Sequence, residues 1–321
     1  MAIPNTYPFT RFLAAKKSVD DRALNRYVWQ RLAEAVPQAA SDGPLRVLEV
    51  GAGIGTMVER LVEWGLLHRA TYTAIDADPA AIAESRRRLP AWMADHGFNV
   101  REDTLTRQRF WRNAHEIVVE AEAIDLQRFI GRTQGRRTWD LLIAHAVLDL
   151  LDIPTTLPAL LSLLRPGGVC YFSITFDGAT ILQPEIDPAL DAQIEALYHQ
   201  TMDQRRIAGR RSGDSRTGRH LFAHLRAVGA DILAAGSSDW IIFAGPDGYP
   251  GDEAYFLHFI IHTIGTALRG HPDLDPVRLR HWVAERYAQI EAGSLVYIAH
   301  QLDFLGRVPV RPVHEDERRS A

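Results

Sequence analysis

The chain has 321 residues, 46% hydrophobic and 24% charged, with a formal net charge of −4 at pH 7. That is an ordinary globular balance, long enough for one large α/β domain with insertions or for two modest domains. The acidic balance argues against electrostatic capture of a nucleic-acid backbone, and a single cysteine, Cys170, excludes an internal disulfide framework and a cysteine metal cluster.

The start, Met1–Asn5, lacks the basic residues and apolar run of a signal peptide, and no apolar stretch approaches the roughly 20 residues that span a bilayer. A cytoplasmic location without membrane contact is expected. The sequence leaves monomer and homodimer both open.

Apolar positions at Phe12, Leu24, Val28, Leu32 and Val36 predict a helical segment over residues 9–36, closed by the loop Ser41-Asp42-Gly43-Pro44. Leu45–Val50 is a short, mostly apolar strand that stops at glycines. A helix opening near Thr56 carries Met57, Leu61, Val62 and Leu66 at helical spacing. Strands follow at Ala70–Ile75, Glu116–Ala121, Trp139–Ala144 and Val169–Ile174, with helices or loops between them. Within that run, Leu157–Leu164 is expected helical and Arg165-Pro166-Gly167-Gly168 a turn. Cys170 falls in the last of these strands and is expected to act there as a small buried residue. Strand and helix alternate, which predicts a mostly parallel, doubly wound sheet. Beyond Phe176 the rhythm changes. Residues 177–216 read as loop and helix, His220–Val228 as a helix, Asp231–Phe243 as supplying a strand, 253–292 as two helices and Leu295–Phe304 as a strand. The segment 308–321 is an expected flexible tail.

Glu49-Val50-Gly51-Ala52-Gly53-Ile54-Gly55 follows a strand and opens a helix, so its glycines permit a sharp turn and close approach of a ligand to the backbone. Asp76 ends the second strand, where a carboxylate can accept from both hydroxyls of a ribose. Asp78 before Pro79 reads instead as a helix cap.

Val47–Gly55 resembles the first motif of class I S-adenosylmethionine-dependent methyltransferases. Ala74-Ile75-Asp76 resembles their second, and Glu122-Ala123-Ile124-Asp125-Leu126 their third. Trp139–Ala144 resembles their fourth strand, and Leu163–Gly168 the turn into the fifth. The likeness runs over residues 45–235 in family order. It implies an α/β fold with a doubly wound, mostly parallel, seven-stranded Rossmann-like sheet bearing helical cap insertions. The methyltransferase domain would span 45–307, with a helical cap segment at 1–44 and cap insertions near 177–216 and 250–292. The implied cofactor is S-adenosylmethionine, with S-adenosylhomocysteine as product. Gly51, Ala52, Gly53 and Gly55 would pass beneath its methionine part, with Glu49 orienting the ammonium. Asp76 and Ala77 would face the ribose, Glu122 and Ala123 the adenine, and Ala144 the crevice wall. A nicotinamide dehydrogenase would more usually show G-x-G-x-x-G and does not account for Arg165-Pro166-Gly167-Gly168.

On the acceptor side, His145 follows the fourth strand and is the candidate base, set against a histidine that merely lines the pocket. The run Ala144-His145-Ala146-Val147 lacks the Asn/Asp-Pro-Pro-aromatic pattern of amide and adenine N-methyltransferases. Tyr7, Arg11, Trp29, Trp240, Tyr255, His258 and His262 are candidates for a partly apolar pocket beneath the cap. His258 and His262 share a helix face, but no third ligand accompanies them, so no metal is expected. Arg205, Arg206, Arg210, Arg211, Arg216 and Arg219 form either an anion clamp or a solvated face with a helix start capped by Thr217 or Ser215. A small-molecule acceptor is expected. Methylation of RNA or protein through this arginine-rich insert is the alternative, and a non-catalytic cofactor-binding protein the third reading.

Overall fold

The computed structural model describes residues 7–39, 43–133, 139–207 and 209–310. The first residues of the expected N-terminal cap segment, Met1–Asn5 among them, the loop residues Ser41 and Asp42, and the part of the expected tail beyond Val310 lie outside the described residues. Two helices open the chain, α1 (Phe9–Ala23) and α2 (Arg26–Ala39), where the periodicity predicts one. The break has a local cause. Asn25 turns its side-chain oxygen to the Val28 amide at 3.0 Å, capping a new helix, and its own amide donates to Asp303 at 2.9 Å.

The sheet then builds through β1 (Leu45–Val50), α3 (Thr56–Glu63), β2 (Arg69–Asp76), α4 (Pro79–Asp95), β3 (Asn99–Thr104), β4 (Arg107–Arg112) and β5 (His115–Ala123). It continues with α5 (Leu126–Thr133), β6 (Trp139–His145), α6 (Ile153–Leu161) and β7 (Leu164–Gln183). After β7 come α7 (Pro188–Gln204), the short pair β8 (Arg206–Ile207) and β9 (Arg210–Arg211), then α8 (Thr217–Ala227) and β10 (Asp231–Ser237). The last elements are β11 (Trp240–Ile242), α9 (Glu253–Ala267), α10 (Pro276–Glu291) and β12 (Val296–Arg307).

Among the described residues the main sheet has ten strands, in the order β10-β12-β7-β6-β1-β2-β5-β4-β3 with β11 on β12. The central pairs β5/β2, β2/β1, β1/β6 and β6/β7 are parallel, and the outer pairs are antiparallel. The expected doubly wound α/β core is present, but the strand number exceeds the expected seven. The added β3–β4 hairpin was hidden because its outer strand, Asn-Val-Arg-Glu-Asp-Thr, shows no apolar alternation. It is held by its ladder to β5, by fully buried Phe110, and by pairs such as Arg107 with Glu120 at 2.6 Å.

One face of the sheet packs on α2, α3 and α4, around Val28, Leu32, Met57, Leu61 and Met93. The other packs on α5, α6 and α8, around Phe129, Leu157, Leu160 and Leu221. Cys170 is buried, free and pushed up to about 12 by burial, an inert packing thiol. The helix expected at Leu157–Leu164 begins earlier, at Ile153 behind Asp152, and ends at Leu161.

The strand expected to stop at Ile174 instead runs to Gln183, paired with β12 as an antiparallel ribbon. It kinks at Ile174, whose φ of 55° is sparsely allowed for a β-branched residue. The Asp303 carboxylate accepts from the Ile174 amide at 2.8 Å and so holds the kink. Past it, α1, α7, α9 and α10 gather around Phe12, Ile194, Phe256, Ile264 and Trp282 in a separate apolar cluster above the carboxyl ends of the strands. Of the expected N-terminal cap segment, only α1 joins this cluster; α2 belongs to the sheet layer. Among the described residues no helix is long and apolar enough to cross a membrane.

Candidate functional site

A cavity of about 550 Å³ opens along the carboxyl ends of β1, β2 and β6 and continues beneath α1, α7 and α9. Its floor is the turn after β1. β1 is buried on both faces between β2 and β6, so its apolar run carries the turn to a fixed place. Gly51 has φ of 68°, and a Cβ there would lie 2.8 Å from Val147 Cγ2, so glycine is required on both counts. Gly51, Ala52, Gly53 and Ile54 line the cavity, but Gly55 does not. Gly55 is left-handed at the start of α3, and its Cβ would lie 2.6 Å from the Ser85 hydroxyl on α4. Its role is close helix packing, a correction to its expected place among the cofactor contacts.

Asp76 and Ala77 line the same crevice. Asp76 braces the turn, accepting from the Gly53 amide at 2.8 Å through one oxygen and from the Asp78 amide at 2.8 Å through the other. Each oxygen keeps a lone pair for a further donor. Asp78 caps α4 through the Ala80 amide at 2.8 Å, with Pro79 in the first turn. Glu49 is buried in the crevice wall and accepts from the Tyr72 hydroxyl at 2.7 Å. Burial pushes its carboxyl up to about 8, against the lowering effect of that bond and of Arg60. Its other oxygen has no protein partner among the described residues, so a cationic ligand group would find it ready.

The two residues expected at the adenine do not reach the crevice. Glu122 points away into a bidentate pair with Arg132, at 2.8 and 2.7 Å, and neither Glu122 nor Ala123 lines the cavity. Ile124, Asp125 and Leu126 do. The Asp125 side chain also accepts from the Gln127 amide at 2.9 Å at the start of α5. Ala144, fully buried within β6, also lies behind the wall rather than in it; the crevice begins one residue later.

His145 closes β6 and faces a cluster that local sequence reading does not find. α1 turns Lys16 and Asp20, one helical turn apart, onto its buried face beside Phe12 and Val19. Asp20 accepts from Lys16 at 2.6 Å, from His145 Nε2 at 2.9 Å, from the Trp240 indole at 2.9 Å and from Arg60 at 3.4 Å. Burial alone would raise the Asp20 carboxyl, but Lys16, His145 and Arg60 outweigh it and hold the group well below its ordinary value. His145 goes the other way: burial and the Lys16 charge push it down to about 4, so it is neutral near pH 7.

The ionised Asp20 can only accept, so Nε2 carries the ring proton and Nδ1 accepts from the Ser173 hydroxyl at 2.9 Å. Both nitrogens are therefore committed within the protein. Ser173 is fully buried and absent from the cavity wall, so this serine–histidine–aspartate chain has no exposed nucleophile. A signal did exist in the sequence: charged residues at the apolar phase of an amphipathic helix. The next residue, Ala146, has φ of 54° and lines the cavity, as does the kinked Ile174. Such conformations cost about 1–3 kcal/mol each and gather at functional sites.

Of the seven residues expected beneath the cap, Trp240 alone lines the cavity. The lining face of α9 is Phe259, Ile260 and Thr263. Tyr255, His258 and His262 occupy another face of the same helix and pack on Tyr7, with ring centroids 5.5, 6.5 and 4.9 Å away. One residue of helical phase, about 100°, separates the two faces. Arg11 pairs with Asp252 at 2.8 Å and lies over the Tyr255 ring, while Trp29 packs edge-on against Trp64 and Tyr171 in the sheet layer. His258 stacks on Tyr287 and pairs with Glu291 at 3.2 Å.

Two members of the arginine group serve the fold. Arg205 donates to the Asp149 carbonyl, and Arg219 to Asp177 at 2.8 Å. The Arg216 N-cap position makes no side-chain bond, and Asp177, reaching across from β7, accepts the Arg219 amide at 2.8 Å. This replaces the expected cap at Thr217 or Ser215. Arg206, Arg211 and Arg216 are exposed, and the Arg210 side chain lies outside the described residues.

Residues 48–170 match a family model described as a methyltransferase domain. A polyamine aminopropyltransferase from Desulforudis audaxviator (strain MP104C) is 30% identical over 90 residues, 28% of this chain and 32% of that one. The match thus spans about a third of that relative's length. Among solved structures, an S-adenosylmethionine-dependent methyltransferase from Thiobacillus denitrificans, in complex with S-adenosyl-L-homocysteine, is 15% identical. It covers 94% of this chain and 99% of its own, with a TM-score of 0.42. A phosphoethanolamine N-methyltransferase 2 from Haemonchus contortus is 12% identical, covering 96% of this chain and 61% of its own, with a TM-score of 0.42. Likenesses of this size carry no argument about chemistry. The family match, by contrast, falls across the strand, glycine turn and carboxylate described above. On that match residues 48–170 of the chain form a methyltransferase domain.

Proposed function

We propose that this protein transfers the methyl group of S-adenosylmethionine to an oxygen or nitrogen of a small organic molecule. The observation that carries the reading is the continuity of one cavity, from the glycine turn to a largely apolar chamber beneath α1, α7 and α9. A chamber roofed by helices suits a small molecule better than a polymer. Arg205 and Arg219 are engaged by acceptors of the protein itself, the Asp149 carbonyl and the Asp177 carboxylate, which weakens the case for an arginine-rich nucleic-acid surface.

The residues fit the cofactor. The backbone of Gly51–Ile54 would pass beneath the methionine part, the free oxygen of Glu49 would accept from its ammonium, and the remaining lone pairs of Asp76 would accept from the ribose. Ile124–Leu126 would border the adenine. The cofactor supplies a methyl carbon on a sulfonium: the acceptor's lone pair forms the new bond while the carbon–sulfur pair leaves with sulfur. Alignment and exclusion of water are then the protein's main contributions. His145 orients Asp20 and Ser173 rather than offering a free lone pair, so an acceptor that enters already deprotonated is favoured.

Thermal unfolding with S-adenosylmethionine, S-adenosylhomocysteine and NAD in parallel tests this. The first two at about 100 times their dissociation constants should each add about 2.7 kcal/mol, and NAD nothing. Stabilisation by NAD alone would overturn the reading. Asp76→Ala should abolish most of the response, whereas an unchanged response would remove the ribose role.

A further inference from the structure

We infer that Lys16 is the anchor for an acidic oxygen on the acceptor, so that the chamber takes a hydrophobic molecule bearing one carboxylate or comparably acidic hydroxyl. This deepens the proposed function and rests on it for the identity of the second ligand. Lys16 is only 6% exposed, yet it lines the cavity. Its ammonium has three donors, and Asp20 takes one at 2.6 Å. His145 Nε2, 3.5 Å away, already carries the proton that it gives to Asp20 and cannot also accept from Lys16. Two N–H groups of a buried ammonium are therefore without a protein acceptor among the described residues. A group so placed is costly to leave unsatisfied.

The surroundings define what would satisfy it. Asp20 has its two oxygens engaged by Lys16, His145, Arg60 and Trp240, so it offers an incoming group little capacity. Asp149, another carboxyl of this wall, is pushed up by burial and lies within electrostatic reach of Lys16 but, among the described ion pairs, Lys16 is paired with Asp20. The Trp240 ring centroid lies 5.2 Å from the ammonium, and Phe12, Phe176 and Phe259 line the same cavity and would receive an apolar, flat body. A cation in the wall of an aromatic-lined chamber recognises an acid on a hydrophobic frame. It would also hold such an acceptor in its ionised form, which explains why the site needs no free base at His145.

The test uses full-length protein, calorimetric titration and two probes of one shape, 2-naphthoate and 2-naphthalenemethanol, with and without saturating S-adenosylhomocysteine. Wild type should prefer the carboxylate by about tenfold or more, as expected for a buried charge-assisted bond. Lys16→Met should erase the preference while binding S-adenosylhomocysteine as before. Equal affinities in wild type, no binding of naphthoate, or a preference that survives in Lys16→Met would each overturn the assignment. The wild-type comparison decides even if the variant does not fold. Normal binding of S-adenosylhomocysteine without a carboxylate preference would remove the anchor and leave the methyltransferase reading. A carboxylate preference without S-adenosylhomocysteine binding would do the reverse.

Discussion

Replacing Asp20 with Ala should cost about 3–5 kcal/mol of folding stability, the range for breaking a buried ion pair from one side. The carboxylate is 2% exposed and receives Lys16, Arg60, His145 and Trp240. Its removal strands two buried cations, of which only Arg60 keeps another acid, Asp21, and orphans the indole and imidazole protons. Lys16→Met should cost far less, because Asp20 keeps three donors. Urea unfolding at pH 7 measures both. Equal costs for the two variants would mean that Asp20 is not the hub. The acid side of the stability profile gives a second reading of the same cluster. His145 drops from 6.5 to about 4 on folding, so its contribution is present above pH 6.5 and is lost as pH falls toward 4. Asp20, also depressed, loses its contribution only below its ordinary value of 3.8. His145→Gln should therefore flatten the stability slope between pH 6.5 and 4 and leave the steeper acid limb in place.

What was legible in the sequence was what is local. Strand, glycine turn, helix and the carboxylate closing the next strand lie within 32 residues, Leu45–Asp76, and each imposes its own backbone geometry. The cap was legible as helices but not as faces. Whether His262 or Thr263 looks into the chamber depends on one residue of phase, and that phase is fixed by Tyr7, Phe12 and Tyr287 from distant parts of the chain. Asp20 and His145 stand 125 positions apart, so no spacing rule links them. The β3–β4 hairpin escaped for a different reason. Its strand character comes from pairing with β5 at a solvated edge, where apolar alternation is not needed. Gly55 shows the converse hazard. It sits in the glycine motif, yet a neighbouring helix rather than a ligand requires it.

Cofactor affinity should rise about tenfold per pH unit on the acid side and level off above about pH 8, through Glu49. In the free protein burial holds this carboxyl up to about 8, so at pH 7 it is mostly protonated. An ammonium brought to its open oxygen favours the charged form, so binding near neutrality should expel about one proton per cofactor. Calorimetry of S-adenosylhomocysteine binding at pH 7 in buffers of different ionisation enthalpy reads that proton directly. Glu49→Gln should keep the neutral form's shape, abolish the release and flatten the pH profile. The sign in the free protein is opposite and provides a check free of ligand. A carboxyl raised on folding stabilises below its ordinary 4.5, and that contribution is lost as pH rises through about 8. The unliganded Glu49→Gln protein should therefore be more stable than wild type at pH 9. Proton release with no alkaline stabilisation would place the titrating group elsewhere. Stabilisation without release would mean that Glu49 is buried for the fold and that the ammonium is held by something else.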